Sequence, residues 1–133
     1  MAKILIVDDD EILQRMYHKR LQLEGHEVIQ ALDGKTGLTL AKSQNVDLIL
    51  LDIMLQGGLN GFDVLEQIKQ DPKTKDIIVL VVTNLDSQGK VAKEIGASGY
   101  LVKVDTKPDQ ILATINELLA AKAAHQKAVS EKP

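Results

Sequence analysis

Cysteine is absent from the 133 residues, which removes disulfide frameworks and thiolate metal sites together. Aromatic residues are nearly absent as well, with one Phe, two Tyr and no Trp. A core must therefore be assembled from Ile, Leu, Val and Ala. No apolar run nears the roughly 20 residues that span a bilayer. The start, "MAKILIVDD", has neither a basic region leading into a long apolar stretch nor a small-residue cleavage site. A surplus of positive charge is missing too: the net charge of −3 argues against nucleic acid as a direct partner. What remains is 44% apolar and 26% charged, the composition of one ordinary globular domain. It is expected to be soluble and cytoplasmic, with no membrane partner.

Five short apolar runs recur, at residues 4–7, 27–31, 48–51, 77–82 and 100–102. Segments of helical periodicity lie between them. The first, 11–24, places Ile12, Leu13, Met16, Tyr17, Leu21 and Leu23 largely on one face, with Gly25 as its stop. The others run over about 35–43, from after Asn60–Gly61 to just before Pro72, over about 87–95, and onward from Pro108. Strict alternation of strand and helix predicts parallel strands joined by helical crossovers. Runs as solidly apolar as "IIVLVV" suit a sheet covered on both faces. The expected fold is a three-layer, doubly wound α/β domain of five units. The domain is expected to occupy residues 1–120. Residues 121–133, "AKAAHQKAVSEKP", lose the apolar period and read as a helix end or a linker tail.

In an open parallel sheet, the functional crevice lies at the carboxyl ends of the strands. The residues there are Asp8 and Asp9 after the first run, Asp52 after the third, Thr83 after the fourth and Lys103 after the fifth. Each alone has an unremarkable explanation. An Asp after a strand commonly forms a turn or caps a helix, and Asp10 and Glu11 fit that role in a first helical turn. A single Lys is usually a surface charge and a single Thr a strand residue. Five such groups at equivalent strand ends form a constellation instead. The run "ILIVDDDE" sets the physical problem, because crowded carboxylates beside an apolar core repel and lose hydration. A cation would compensate.

The segments "ILIVDDD", "DLILLDIML", "NGFDVLEQIK", "VLVVTN" and "GASGYLVK" resemble, in order and spacing, the receiver domain of two-component response regulators. The resemblance spans residues 3–119. It implies a flavodoxin-like (βα)5 fold with strand order 2-1-3-4-5, which brings Asp8, Asp9 and Asp52 together. It further implies that Asp52 accepts a phosphoryl group from a sensor histidine kinase or a histidine phosphotransfer protein, making the chain a signalling switch rather than a metabolic enzyme. By the same similarity Asp8 and Asp9 help hold Mg²⁺, and Met54 offers a backbone carbonyl to the metal. Lys103 pairs with the phosphoryl oxygens and Thr83 hydrogen-bonds them after transfer. Tyr100 takes the place of the switch aromatic on a helix 4–strand 5–helix 5 output face.

Two departures from the family pattern stand out. The loop "IMLQGGLNG" has one residue more than is common, around 56–58, and lacks the usual Pro. Val104 stands where Pro often follows the Lys, so a trans bond is expected there. The positions that border the hydrolytic water in the family hold Met54 and Leu85, both apolar, which implies slow self-dephosphorylation. A haloacid-dehalogenase-like phosphohydrolase is the enzyme alternative, since Asp8 and Asp10 stand two apart after the first strand. Ile12, however, stands where that family wants Thr or Val. No G-x-G-x-x-G follows the first strand, which disfavours dinucleotide binding. No output domain is read after Ala120. Either a stand-alone regulator or a piece of a longer protein is expected, acting on a protein target, as a monomer or a phosphorylation-dependent dimer.

Overall fold

A computed structural model describes residues 2–131. The chain alternates without exception: β1 Lys3–Val7, α1 Glu11–Leu23, β2 Glu27–Ala31, α2 Gly34–Ser43, β3 Leu48–Leu51, α3 Gly61–Gln70, β4 Ile78–Thr83, α4 Gly89–Ile95, β5 Gly99–Val102 and α5 Pro108–Glu131. A short 3₁₀ turn, Lys103–Asp105, links β5 to α5. The sheet is wholly parallel in the order β2-β1-β3-β4-β5, as the resemblance implied.

Period-two alternation divides the strand side chains between two cores. Leu5, Val7, Ile49, Leu51, Val79 and Val81 face α2, α3 and α4, where Leu38, Ala41, Val64, Leu65, Ile68 and Ala92 meet them. Ile4, Ile6, Leu48, Leu50, Leu80 and Val82 face the other way, onto Tyr17, Leu21, Ile111, Leu112 and Ile115 of α1 and α5. β3 and β4 are buried along their whole length, whereas every residue of β5 is half-buried.

The helix starts follow local chemistry. Asp10 caps α1 by accepting from the amides of Ile12 and Leu13, and Glu11 stands in the first turn. Asn60 and Asp63 form a reciprocal capping box on α3. Among the described residues no peptide bond is cis, so Lys103–Val104 is trans as expected. The helix that begins at Pro108 continues past Ala120 to Glu131, so residues 121–131 are helix end rather than linker. Positions 132 and 133 of the expected tail lie outside the described residues.

Candidate functional site

Register builds the site before any side chain is considered. β1 and β3 pair from Ile4↔Leu48 to Val7↔Leu51, so the next residue of each strand, Asp8 and Asp52, emerges side by side. The Asp52 amide donates to the Val7 carbonyl (3.0 Å), extending that ladder one step past β3. The Asp8 amide donates to the Ala31 carbonyl on the other flank (3.1 Å). Carboxylate oxygens of Asp8, Asp9 and Asp52 all lie within 4.8 Å of one another. Asp8 and Asp52 are only 4% and 6% exposed, while Asp9 is open to solvent. The donor set is all oxygen and two-thirds buried anionic, a set that fits a hard divalent cation.

Lys103 reaches this cluster from the end of β5. Its Nζ donates to Asp8 Oδ2 at 2.7 Å and to Asp52 Oδ2 at 2.8 Å. Burial alone would push the ammonium down, but the two carboxylates outweigh that loss and hold it above its ordinary range. Asp8 moves upward because burial penalises its charge more than the hydrogen bonds from Lys103 and the Asp10 amide relieve it, and Asp52 adds to the penalty. One ammonium therefore serves two buried carboxylates and leaves the cluster short of positive charge. The other oxygen of Asp52, Oδ1, accepts from the Met54 amide at 2.9 Å. Both oxygens of Asp52 are thus oriented, one by a cation and one by backbone.

The loop after Asp52 is shaped by a close approach. A Cβ on Gly61 would lie 2.3 Å from the Asp52 carbonyl oxygen and 2.3 Å from the Ile53 Cα. Only glycine lets the first turn of α3 rest on the backbone that carries Asp52, and the Gly61 amide donates to the Ile53 carbonyl (2.9 Å). Within this loop Gly57 takes the left-handed region, with φ of 101°. The Met54 side chain is exposed.

Thr83 is fully buried as the last residue of β4, and its Oγ1 accepts from the Leu85 amide (3.4 Å). Tyr100, half-buried on β5, donates its hydroxyl to the Leu85 carbonyl and packs over Gly89. The two residues meet at one peptide segment: Thr83 holds the amide of Leu85 and Tyr100 its carbonyl. The structure thus brings Asp8, Asp9, Asp52 and Lys103 into one cluster, with Thr83 and Tyr100 on the adjoining loop. Asp10, which the phosphohydrolase alternative needed as its second acid, spends its carboxylate on the α1 cap. Sequence reasoning missed Gln14, whose buried side-chain amide lies against the backbone of the acidic loop. Its only signal was a polar residue on an otherwise apolar helix face.

The family described as "Response regulator receiver domain" matches residues 4–116. This chain belongs to that family. PilH of Pseudomonas aeruginosa is 39% identical to the receiver over 122 residues, covering 90% of it and 99% of PilH. The response regulator PleD of Caulobacter vibrioides is 42% identical over 104 residues, but the match spans 77% of the receiver and only 23% of PleD. Among solved structures, a CheY-like receiver domain from Methanospirillum hungatei superimposes with a TM-score of 0.86 at 28% identity, covering 94% of this chain and 98% of that one. Chemotaxis regulator CheY4 of Vibrio cholerae does so with 0.79 at 32% identity, covering 88% and 98%. The receiver is therefore a phosphorylation-dependent signalling switch of two-component systems, a class that takes phosphoryl groups from histidine kinases. No helix among the described residues is long and apolar enough to cross a membrane.

Proposed function

We propose that Asp52 is the phosphoacceptor of this receiver. The observation that carries the reading is its setting: a buried carboxylate at a strand end, with Oδ2 on the Lys103 ammonium and Oδ1 on the Met54 amide. One oxygen of Asp52 attacks the phosphorus of a phosphohistidine. The O–P bond forms as the P–N bond breaks, and the departing imidazole nitrogen keeps the bonding pair. Lys103 stays within reach of the phosphoryl oxygens, and the Thr83 hydroxyl turns to donate to one of them. Asp8, Asp9, Asp52 and the Met54 carbonyl would hold Mg²⁺. When bound, that ion neutralises the crowded carboxylates and the charge on the transferring group.

The signal then leaves through α4, β5 and α5, because Thr83 and Tyr100 share Leu85 as a common partner. A Thr83 hydroxyl drawn to phosphate gives up the Leu85 amide, and Tyr100 follows inward. The receiver promotes only its own phosphorylation and dephosphorylation. We place it in the cytoplasm, reading its state out to a protein target as a monomer or a phosphorylation-dependent dimer, without direct nucleic-acid contact.

Incubation with acetyl phosphate and Mg²⁺ should add one phosphoryl mass to the wild type and none to Asp52→Asn. Equal labelling of the variant would overturn the assignment. Mg²⁺ should also raise the melting temperature of the unphosphorylated wild type, and Asp9→Ala should abolish that rise.

A further inference from the structure

Gln14 lies one turn into α1 and is 2% exposed. Its Nε2 lies 3.0 Å from the Ile6 carbonyl, 3.1 Å from the Asp8 carbonyl and 2.8 Å from the Ala31 carbonyl. Three acceptors face one amide, so the NH₂ and not the oxygen must point at them. The carbonyls belong to the carboxyl ends of two strands, β1 and β2, and to the loop that carries the acids. We infer that Gln14 is a positioning residue for the metal site, setting the backbone from which Asp9 projects.

Both peptides that flank Asp9 are tethered. The carbonyl of the peptide before it, Asp8 O, is held by Gln14. The amide of the peptide after it, Asp10 N, is held by Asp8 Oδ1 at 2.9 Å. Asp9 itself is exposed, so packing does not fix its direction. The two tethered peptides do. Ala31 O, which accepts from both Gln14 and the Asp8 amide, ties the same loop to β2.

Stability alone gives a poor reason for this residue. Gln14 Oε1 is buried with no protein partner, and an unsatisfied buried acceptor costs more than an apolar atom of the same shape. A Met of similar length would fill the space without that orphan, at the loss of the donor to the Asp8 carbonyl. What the amide adds is a fixed position for the Asp8–Asp9 peptide, and partners of this kind behind a metal ligand typically change affinity by about 10–100-fold.

The inference rests on the metal-site reading of Asp8, Asp9 and Asp52, so the test separates the two. Mg²⁺ affinity is measured by titration calorimetry on the wild type, on Gln14→Met and on Thr74→Val. Thr74 is buried in the turn between α3 and β4, at the amino ends of the strands, and bonds the Ile68 carbonyl, so its variant lowers stability away from the site. Gln14→Met should weaken Mg²⁺ binding by about 10-fold, and Thr74→Val should leave it unchanged. A wild type that binds no Mg²⁺ would defeat the metal-site reading itself. The positioning role is read separately, in metal-free buffer, from the backbone ¹⁵N relaxation of Asp9 and Asp10. Gln14→Met should mobilise those two amides and Thr74→Val should not. Unchanged relaxation at Asp9 and Asp10, or a Mg²⁺ affinity equal to that of the wild type, would overturn the inference. If Gln14→Met does not fold, Gln14→Asn provides the same comparison, because it keeps an amide but withdraws it by one methylene.

Discussion

Helices α3 and α4 pack on the same face of the sheet and are anchored by different means. α3 runs ten residues, begins with a capping box and drives Val64, Leu65 and Ile68 into the core, each with no exposed surface. α4 runs seven, starts at Gln88 without a side-chain cap bond, and buries only Ala92. The strands beneath repeat the contrast, fully buried β3 against half-buried β5. The difference is the one the proposed switch requires, a fixed scaffold beside a part with little to hold it. α3 rests through Gly61 on the backbone of Asp52 and must not shift if the acceptor is to stay placed. The loop that leads into α4 is held at Leu85, whose amide donates to Thr83 and whose carbonyl accepts from Tyr100. Segments with few buried contacts open at low free energy, and switches are drawn from them.

The contrast can be broken most directly by truncation. Leu65→Ala should cost about 2–5 kcal/mol in denaturant unfolding, whereas Ala92→Gly should cost about 1 kcal/mol. Equal costs would show that the two helices are anchored alike. The buried charge of the site belongs to the scaffold side and can be tested there. Burial raises the Asp8 pKa in the folded state above its unfolded value. The associated stability is therefore greatest below the unfolded carboxylate range and is lost as pH rises through the folded pKa. In chelator at pH 7, Asp8→Asn should melt a few degrees higher than wild type. That margin should shrink on acidification, and a margin that grows with acid would reverse the sign of the argument.

Two smaller effects sharpen the comparison. Met54 follows β3 and Leu85 follows β4, one apolar residue from each side of the crevice. Slow loss of the aspartyl phosphate is expected, because neither side chain can hydrogen-bond an in-line water. Met54→Asn/Leu85→Glu should lose phosphate several-fold faster, and an unchanged rate would end that explanation. Finally, beryllofluoride should move amide resonances in residues 87–95 and 98–102 far more than those in α3. Shifts confined to the acidic loops would mean that α4 is loose without being a switch.

Most of this was legible in the residues. The strands fall within a residue of the five apolar runs because β-branched and Leu runs bounded by polar turns leave little choice of limits. The acids of the site were legible because a strand end is a fixed place in a parallel sheet. Gln14 was not, since its partners are backbone carbonyls and carry no mark in the sequence. Nor was the close approach at Gly61, which depends on where α3 lands rather than on its own composition. For residues past Ala120 the lost apolar period left a helix end and a linker tail both open. "AKAAHQK" has no apolar face to bury, yet Ala, Lys and Gln are strong helix formers, and that signal was present.

The pairing of Val7 with Leu51 has a further consequence in the time domain. Asp8 and Asp52 are far apart in the sequence and become neighbours only when β1 and β3 have joined in register. Their mutual repulsion is therefore felt by the folded chain and by any transition state that already contains this pairing, while the unfolded chain is free of it. A cation that binds the assembled site removes that repulsion at the end of folding. If β1 and β3 pair late, after the barrier, Mg²⁺ slows unfolding and leaves the folding rate unchanged; if they form the nucleus, folding itself accelerates. The ion thus becomes a clock hand for the order in which the central strands assemble.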